Sequence, residues 1–275
     1  MGKSKALNFI TIFIICIELL VILLVKVATY VSPSARELAL LVENLTILVV
    51  LFLLFWINRN NLNKFNINKW TILIFIVVGG AGGAFFLPSS SNWFLVACFA
   101  IIILSISGAY FFFYRSNLFR FDRTINKERN GILPGILFGA ALSIIVSIPE
   151  IINQTEISSI PKVNPISLLL LALSQFFNQL STTAIPEEIF FRGFLWGSLM
   201  NFGWKVSRVV VFQGLLFWLA HYNYDISPYR FLVTIPFGTL LLSFLTLRTS
   251  LVNTSIVAHA TYNTTEYLLI LLAEL

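Results

Sequence analysis

Three short polar clusters in the C-terminal half of the sequence contain both of its histidines. The clusters are Glu187, Glu188 and Arg192; Phe217 and His221; and His259 and Asn263. Carboxylates and imidazoles act as general bases in enzymes, and imidazole and amide N–H groups stabilise oxyanions. The residue types therefore fit the activation of a water molecule and the stabilisation of an oxyanion.

Helical spacing distinguishes the two adjacent acids. Glu188 and Arg192 are four residues apart with the acid first, so they can pair on one helix face. Glu187 lies about 100° further round the helix and is less committed to that pair. His259 and Asn263 are also four residues apart, which points imidazole and amide into the same space. A role in helix packing alone is the alternative, but helix packing does not require both histidines beside a Glu-Glu-Arg cluster.

The elements that carry these residues are predicted to lie in a lipid bilayer. The chain has 275 residues, of which 58% are hydrophobic and 11% charged, with a mean hydropathy of +0.89. Soluble globular domains carry about 25% charged residues, so this composition excludes them. The chain has a net charge of +6. In a membrane protein, such an excess of basic residues is expected in cytoplasmic loops, close to lipid head groups. No motif indicates a nucleic-acid partner, so membrane lipids are the expected surroundings.

Runs of roughly 20 apolar residues can cross a bilayer as helices and predict an all-α transmembrane bundle. About nine spans are predicted, with eight as the alternative, at residues 7–30, 38–57, 70–87, 93–114, 132–148, 166–200, 206–221, 231–247 and 251–272. The sixth is too long for one straight span and contains Pro186, so we expect it to tilt, kink or break there. Five spans fall in residues 1–164, and four form a core in residues 165–275.

The basic residues predict the orientation of the spans, because Lys and Arg resist translocation. With the N-terminus inside, the basic residues of the outer segments are Lys26, Arg36, Lys162 and Arg230. All others except the intramembrane Arg192 fall in inner segments. The basic segment 115–130 is therefore predicted to be an inner loop, and the segment 149–164 an outer loop.

Polar residues of the first five spans are expected to serve packing. Glu18 and Glu43 are single acids on neighbouring spans, for which we expect neutral, hydrogen-bonded contacts. Cys16 and Cys98 lie in apolar runs without metal-ligand or redox spacing, so neither a disulfide nor a metal site is predicted. A GxxxG pattern in the third span indicates close helix packing. The glycines of that span, which include this pair, are Gly79, Gly80, Gly82 and Gly83.

The three clusters, in their order along the chain, resemble the motifs of the CAAX protease and bacteriocin-processing enzymes, which are intramembrane glutamic endopeptidases. The matching patterns are Glu187-Glu188-xxx-Arg192, continued by Gly193 and Phe194; Phe217-xxx-His221; and His259-xxx-Asn263. The resemblance covers about residues 166–272. Three ordered motifs make it specific, although a single EExxxR pattern is weak. The first five spans carry no signature of the family.

The resemblance implies a peptide hydrolase with four catalytic residues. Glu187 and His221 would activate the attacking water, and His259 and Asn263 would stabilise the oxyanion. No cofactor or metal is implied. The substrate would be a membrane-associated peptide or protein, and the enzyme a multi-pass protein of a prokaryotic plasma membrane.

The same resemblance implies supporting residues and raises a question of geometry. Glu188 with Arg192 would maintain the site, and Phe217 would pack against it. His221 falls near the outer end of its predicted span, whereas His259 falls near the middle of its own. Either the helix around His221 extends past residue 224, or the spans are staggered.

Three other functions compete with peptide hydrolysis by an acid and a histidine. A non-catalytic bacteriocin-immunity or membrane-peptide-binding protein would use the same bundle, and nothing in the sequence excludes it. A zinc protease would use Glu and His ligands, but there is no HExxH motif, Asn263 is a poor zinc ligand and Arg192 would repel the cation. A small-solute transporter is disfavoured because repeated halves are absent.

Overall fold

The computed structural model describes residues 3–32, 36–75, 78, 125–154, 164–222 and 227–274. The helices are α1 (Lys3–Val31), α2 (Arg36–Asn58), α3 (Lys69–Ile74), α4 (Ile125–Gln154), α5 (Pro165–Asn201), α6 (Val206–Ala220), α7 (Arg230–Thr249) and α8 (Val252–Glu274). A 3-10 helix, Leu62–Phe65, lies between α2 and α3. No strand occurs within the described ranges, and the all-α transmembrane class is confirmed.

Several of the described helices are apolar enough for a bilayer. Those long enough to cross one are Ala6–Val31, Pro165–Asn201 and Arg230–Thr249, and shorter apolar helices are Leu45–Asn58, Gly131–Val146 and Val206–Ala220. Large apolar side chains such as Phe13 and Leu133 are exposed on these helices, as expected for lipid contact. The predicted span 93–114, Cys98 and most of 70–87 lie outside the described residues, so the total of nine spans stays a prediction.

Helix α4 extends beyond its predicted span at both ends. It begins at Ile125, inside the predicted inner loop, and continues through Pro149 to Gln154, inside the predicted outer loop. Parts of both predicted loops are therefore helical, and their positions inside and outside the membrane stay predictions. Residues 115–124 and 155–163 lie outside the described ranges. Helix α4 is longer than its predicted span because a run of apolar residues shows only the part of a helix that lies in the hydrocarbon layer. The polar ends of the same helix can project into the head-group region.

Helix α5 is continuous through Pro186, so the break allowed for by the sequence does not occur. The π-helical stretches Leu180–Ala184 and Ile189–Leu195 flank this proline. A proline lacks an N–H and its ring crowds the carbonyl four residues earlier, a conflict that a wider turn relieves. The same arrangement recurs in α7, where the π-helical stretch Arg230–Thr234 ends two residues before Pro236.

Glycines allow α4 to pack closely against α8. Gly131, Gly135 and Gly139 are four residues apart and therefore share one helix face. A Cβ atom at Gly135 would lie 2.9 Å from the backbone oxygen of Thr254, and one at Gly139 would overlap the backbone oxygen of Ala258. Small residues are required at such an interface. The glycines of the GxxxG pattern in the third span lie outside the described residues.

The larger apolar core joins helices from both sides of the predicted boundary at residue 164. It contains Ile15 of α1, Leu51 of α2, Phe194 of α5 and Ile256 of α8, all of which are buried. The helices that carry the polar clusters are thus held against the first two helices, as well as against one another.

The two acids of the first spans have different surroundings. Glu18 is fully buried and accepts a hydrogen bond from Thr46 Oγ1 at 3.3 Å, the kind of contact expected for it. Glu43 forms an ion pair with Lys26 instead, with 3.4 Å between Glu43 Oε2 and Lys26 Nζ. The partner of Glu43 is therefore a lysine on the neighbouring helix rather than a hydroxyl group, and its neutral state stays a prediction.

Candidate active site

The three sequence clusters meet at one cavity of about 810 Å³. Glu187 and Glu188 lie on α5 between its two π-helical stretches, His221 follows the last residue of α6, and His259 and Asn263 lie on α8. Four of these side chains line the cavity. Glu188 is the exception, because its side chain is fully buried.

Glu187 faces both histidines. Its Oε2 atom lies 3.6 Å from Nε2 of His221 and 4.0 Å from Nε2 of His259. Both separations are longer than a hydrogen bond. Glu187 Oε2 is buried and has no hydrogen-bond partner among the described residues. One carboxylate oxygen is therefore held close to two imidazole nitrogens with its hydrogen-bonding capacity unused.

The position of the two histidines answers the question of span geometry. Helix α6 ends at Ala220, so it does not extend past residue 224. The Nε2 atoms of His221 and His259 nevertheless lie within 4.0 Å of the same Glu187 oxygen. The helices are therefore staggered, with the end of α6 placed beside the middle of α8.

The other ring nitrogens of the histidines have fixed partners. His221 Nδ1 lies 2.8 Å from the carbonyl oxygen of Phe217, which can only accept, so Nδ1 carries the proton. His259 Nδ1 lies 2.9 Å from Glu188 Oε1 and donates to that carboxylate. Neutral His221 therefore presents an unprotonated Nε2 to Glu187. His259 Nε2 becomes a donor only when its ring carries a second proton.

Glu188 and Arg192 form the ion pair expected from their spacing. Arg192 Nη1 donates to Glu188 Oε1 at 2.9 Å, and both side chains are fully buried. Arg192 Nη2 also donates to Thr239 Oγ1 of α7 at 2.5 Å. A buried ion pair needs such additional hydrogen bonds, because desolvation of two charges costs several kcal/mol per ion. The pair and His259 share one carboxylate oxygen, so they form a single unit.

Phe217 packs against the polar residues, as expected. Its ring stacks on the His221 ring with a centroid separation of 4.4 Å and an interplanar angle of 29°. The Arg192 guanidinium carbon lies 4.1 Å from the centroid of the same ring, and the His259 ring lies at 6.1 Å in an edge arrangement. Phe217 therefore holds the His221 ring in two ways. Its own ring stacks on the imidazole, and its backbone carbonyl oxygen accepts from His221 Nδ1.

Asn263 is held by a residue that no motif identifies. Its Nδ2 donates to Gln179 Oε1 of α5 at 3.0 Å. The structure thus places Asn263 at the cavity beside His259, as the sequence predicts, and adds Gln179 and Thr239 as supporting residues. Their sequence signal is weak: each is a polar residue within an apolar span, as are many Ser and Thr residues of this chain.

The first two helices also contribute to the cavity. Ile22 and Lys26 of α1 and Glu43 and Ile47 of α2 line it. Sequence reasoning assigned these helices to packing alone. The opposite charges of Lys26 and Glu43 on neighbouring spans were the available signal, because isolated ionisable residues in a membrane require partners.

Among the described residues, no group of three or more His, Cys, Asp and Glu side chains has an arrangement that could hold a metal ion. His259 Nδ1 is hydrogen-bonded to Glu188, so only Nε2 of that ring would be available to a metal ion. Metal-free hydrolysis remains a prediction.

Comparison with known proteins supports the resemblance read from the motifs. Residues 167–265 match the family model described as type II CAAX prenyl endopeptidase Rce1-like. No curated protein and no solved structure matches the chain. The matched residues run from α5 to α8 and include all three motifs. The C-terminal part of the chain is therefore similar to type II CAAX prenyl endopeptidases over residues 167–265.

Proposed function

We propose that this protein is an intramembrane endopeptidase in which Glu187 and His221 activate the attacking water. The observation that carries the proposal is the 3.6 Å separation between Glu187 Oε2 and His221 Nε2, on two residues that both line the cavity. The two atoms are both hydrogen-bond acceptors in the tautomer set by Phe217. A water that donates one proton to each would lie beside the line that joins them, with its oxygen open to the cavity.

The proposed reaction follows from these contacts. Proton transfer from water to the pair of Glu187 and His221 accompanies attack of the water oxygen on the peptide carbonyl carbon. The carbonyl oxygen becomes an oxyanion, to which protonated His259 Nε2 and the Asn263 amide donate. The carbon–nitrogen bond then breaks, and the leaving nitrogen takes up the proton that the water lost.

The supporting residues act through His259 in this scheme. Glu188 accepts from His259 Nδ1 and thereby fixes the orientation of the ring whose Nε2 would donate to the oxyanion. Arg192 compensates the remaining charge of Glu188. Asn263 keeps one amide N–H for the oxyanion, because the other is taken by Gln179.

The proposed substrate is a membrane-associated peptide or protein. The cavity is large enough for several residues of an extended peptide, and it is lined by helices that are apolar on their exposed faces. The description of the matched family adds prenylated CAAX proteins as one candidate substrate class. The proposed location is the plasma membrane of a prokaryote, with lipids around the apolar faces.

The decisive experiment compares the membrane-peptide profiles of cells that carry the native protein, Glu187→Gln or Glu18→Gln. Glu18→Gln is the matched control, because Glu18 is also a buried acid but does not line the cavity. We expect uncleaved peptides to accumulate only with Glu187→Gln. A non-catalytic immunity or peptide-binding protein, the alternative function, would instead give the same profile for all three proteins.

A further inference from the structure

A second polar group lines the same cavity and contains none of the defining residues of the three motifs. It consists of Arg230 at the start of α7 and Tyr262 and Glu266 on α8. Arg230 Nη2 forms an ion pair with Glu266 Oε2, and the Tyr262 hydroxyl donates to Glu266 Oε1 at 3.2 Å. The proposed reaction uses none of these three residues.

The two charges of this ion pair are unequally exposed. The Glu266 side chain is 6% exposed, whereas the Arg230 side chain is 39% exposed. A guanidinium carries five N–H donors. Glu266 accepts from Nη2 of this guanidinium, and the Arg230 side chain also lines the cavity. The buried acid therefore anchors an arginine that remains open to a ligand.

Helix geometry gives the separation between His259 and the acid that anchors this arginine. Glu266 lies seven residues after His259 on the continuous helix α8, on the same face. Seven residues of α-helix correspond to about 10 Å along the axis. An extended peptide advances about 3.3 Å per residue, so this distance corresponds to about three residues.

We propose that Arg230, anchored by Glu266, binds a carboxylate of the substrate about three residues from the cleaved bond. The inference rests on the proposed peptidase function, whose substrate class it narrows. The planar guanidinium matches a carboxylate geometrically, and the Tyr262 hydroxyl offsets part of the negative charge of Glu266. The carboxylate belongs either to the C-terminus of the peptide or to an acidic side chain.

The test measures binding to a variant that does not cleave. Glu187→Gln protein in lipid nanodiscs is titrated with fluorescent pools of apolar hexapeptides, lipidated and unlipidated, in three forms. These carry a free C-terminal carboxylate, a C-terminal amide, or an amide together with one aspartate. We expect at least one acidic form to bind about ten-fold more tightly than the neutral amide. The preferred acidic form identifies the source of the carboxylate.

Additional substitutions test whether Arg230 causes the preference. Arg230→Gln should abolish it, Arg230→Lys should retain part of it, and Arg248→Gln, an arginine at the other end of α7 and outside the cavity, should leave it unchanged. Because Arg230→Gln leaves a buried carboxylate unpaired, Arg230→Gln/Glu266→Gln is measured as well and should also lack the preference. An ion pair that only fastens α7 to α8 predicts equal binding of all pools.

Equal binding, or a preference that survives in both Gln variants, overturns the inference. Cleavage of the same pools by the native protein tests the peptidase proposal separately. A carboxylate preference without any cleavage would refute hydrolysis and leave Arg230 as part of a binding site. Cleavage without a preference would refute only the role of Arg230.

Discussion

Glu187 and Glu188 are adjacent in the sequence, but their carboxylates lie in different environments. Glu188 has no exposed side-chain surface and is bound by Arg192 and His259, whereas 22% of the Glu187 side chain is exposed at the cavity. Two neighbouring positions of α5 therefore hold acids with different contacts: Glu188 is held in an ion pair, and Glu187 is accessible to a ligand. This difference gives the two positions different expected responses to the same substitution.

Glu187→Gln should lower turnover by about 10² to 10⁴, the range for loss of a general base, because the amide keeps the shape but takes up no proton. Glu188→Gln should chiefly reduce stability, by about 3–5 kcal/mol, since it leaves the buried Arg192 without its counter-charge. Both variants are compared by turnover on a cleaved peptide and by thermal unfolding in detergent. Full turnover in folded Glu187→Gln protein would overturn the assignment.

Gly139→Ala should destabilise the protein by about 1–3 kcal/mol, because the new methyl group overlaps the backbone of α8 at Ala258. Gly238→Ala is the matched control on α7, where no heavy atom lies within 4 Å of the added Cβ. That variant should be neutral or slightly stabilising, since alanine favours a helix over glycine. Equal unfolding temperatures for the two variants would contradict the close packing of α4 on α8.

The orientation of the chain can be tested at the two ends of α4. Its 30 residues span about 45 Å, more than the bilayer core of about 30 Å, so its ends are expected on opposite sides. In a background that contains Cys16→Ser and Cys98→Ser, an impermeant maleimide should label Gln154→Cys in intact cells. Arg123→Cys should react only after lysis. The reverse pattern would show that the predicted orientation is inverted.

Activity should not require a metal ion. Asn263 serves better as an oxyanion donor than as a zinc ligand, and the buried Arg192 next to the acids would repel a divalent cation. Purified protein treated with a strong chelator should therefore retain its turnover. Stoichiometric zinc by elemental analysis, together with activity restored only by added metal, would establish a zinc protease instead.

Contacts that depend on one helix were predictable from the sequence. The pairing of Glu188 with Arg192 requires only a spacing of four residues, and it is present at 2.9 Å. The end points of α4 were not predictable from apolar runs, because its polar first turns and Pro149 continue a helix that apolarity alone would end. Local spacing therefore gave more reliable expectations than the composition of a segment.

Contacts between distant parts of the chain were beyond such reasoning. Nothing in the sequence near Asn263 points to Gln179, and the pairing of Lys26 with Glu43 at the cavity depends on how α1 and α2 dock on the later helices. The convergence of His221 and His259 required a stagger between α6 and α8 that no single span contains. The motifs predicted which residues meet, but not which other residues surround them.

The π-helical stretches on either side of Pro186 set the rotational phase of the segment that carries both acids. Each residue removed from a helix turns everything beyond it by about 100°. A one-residue deletion within Leu180–Ala184 would thus give a more regular helix while turning Glu187 away from both histidines. A chain that keeps every motif residue but differs in length here would have a misaligned site, so the geometry of the site depends on the length of this segment as well as on the identity of its acids.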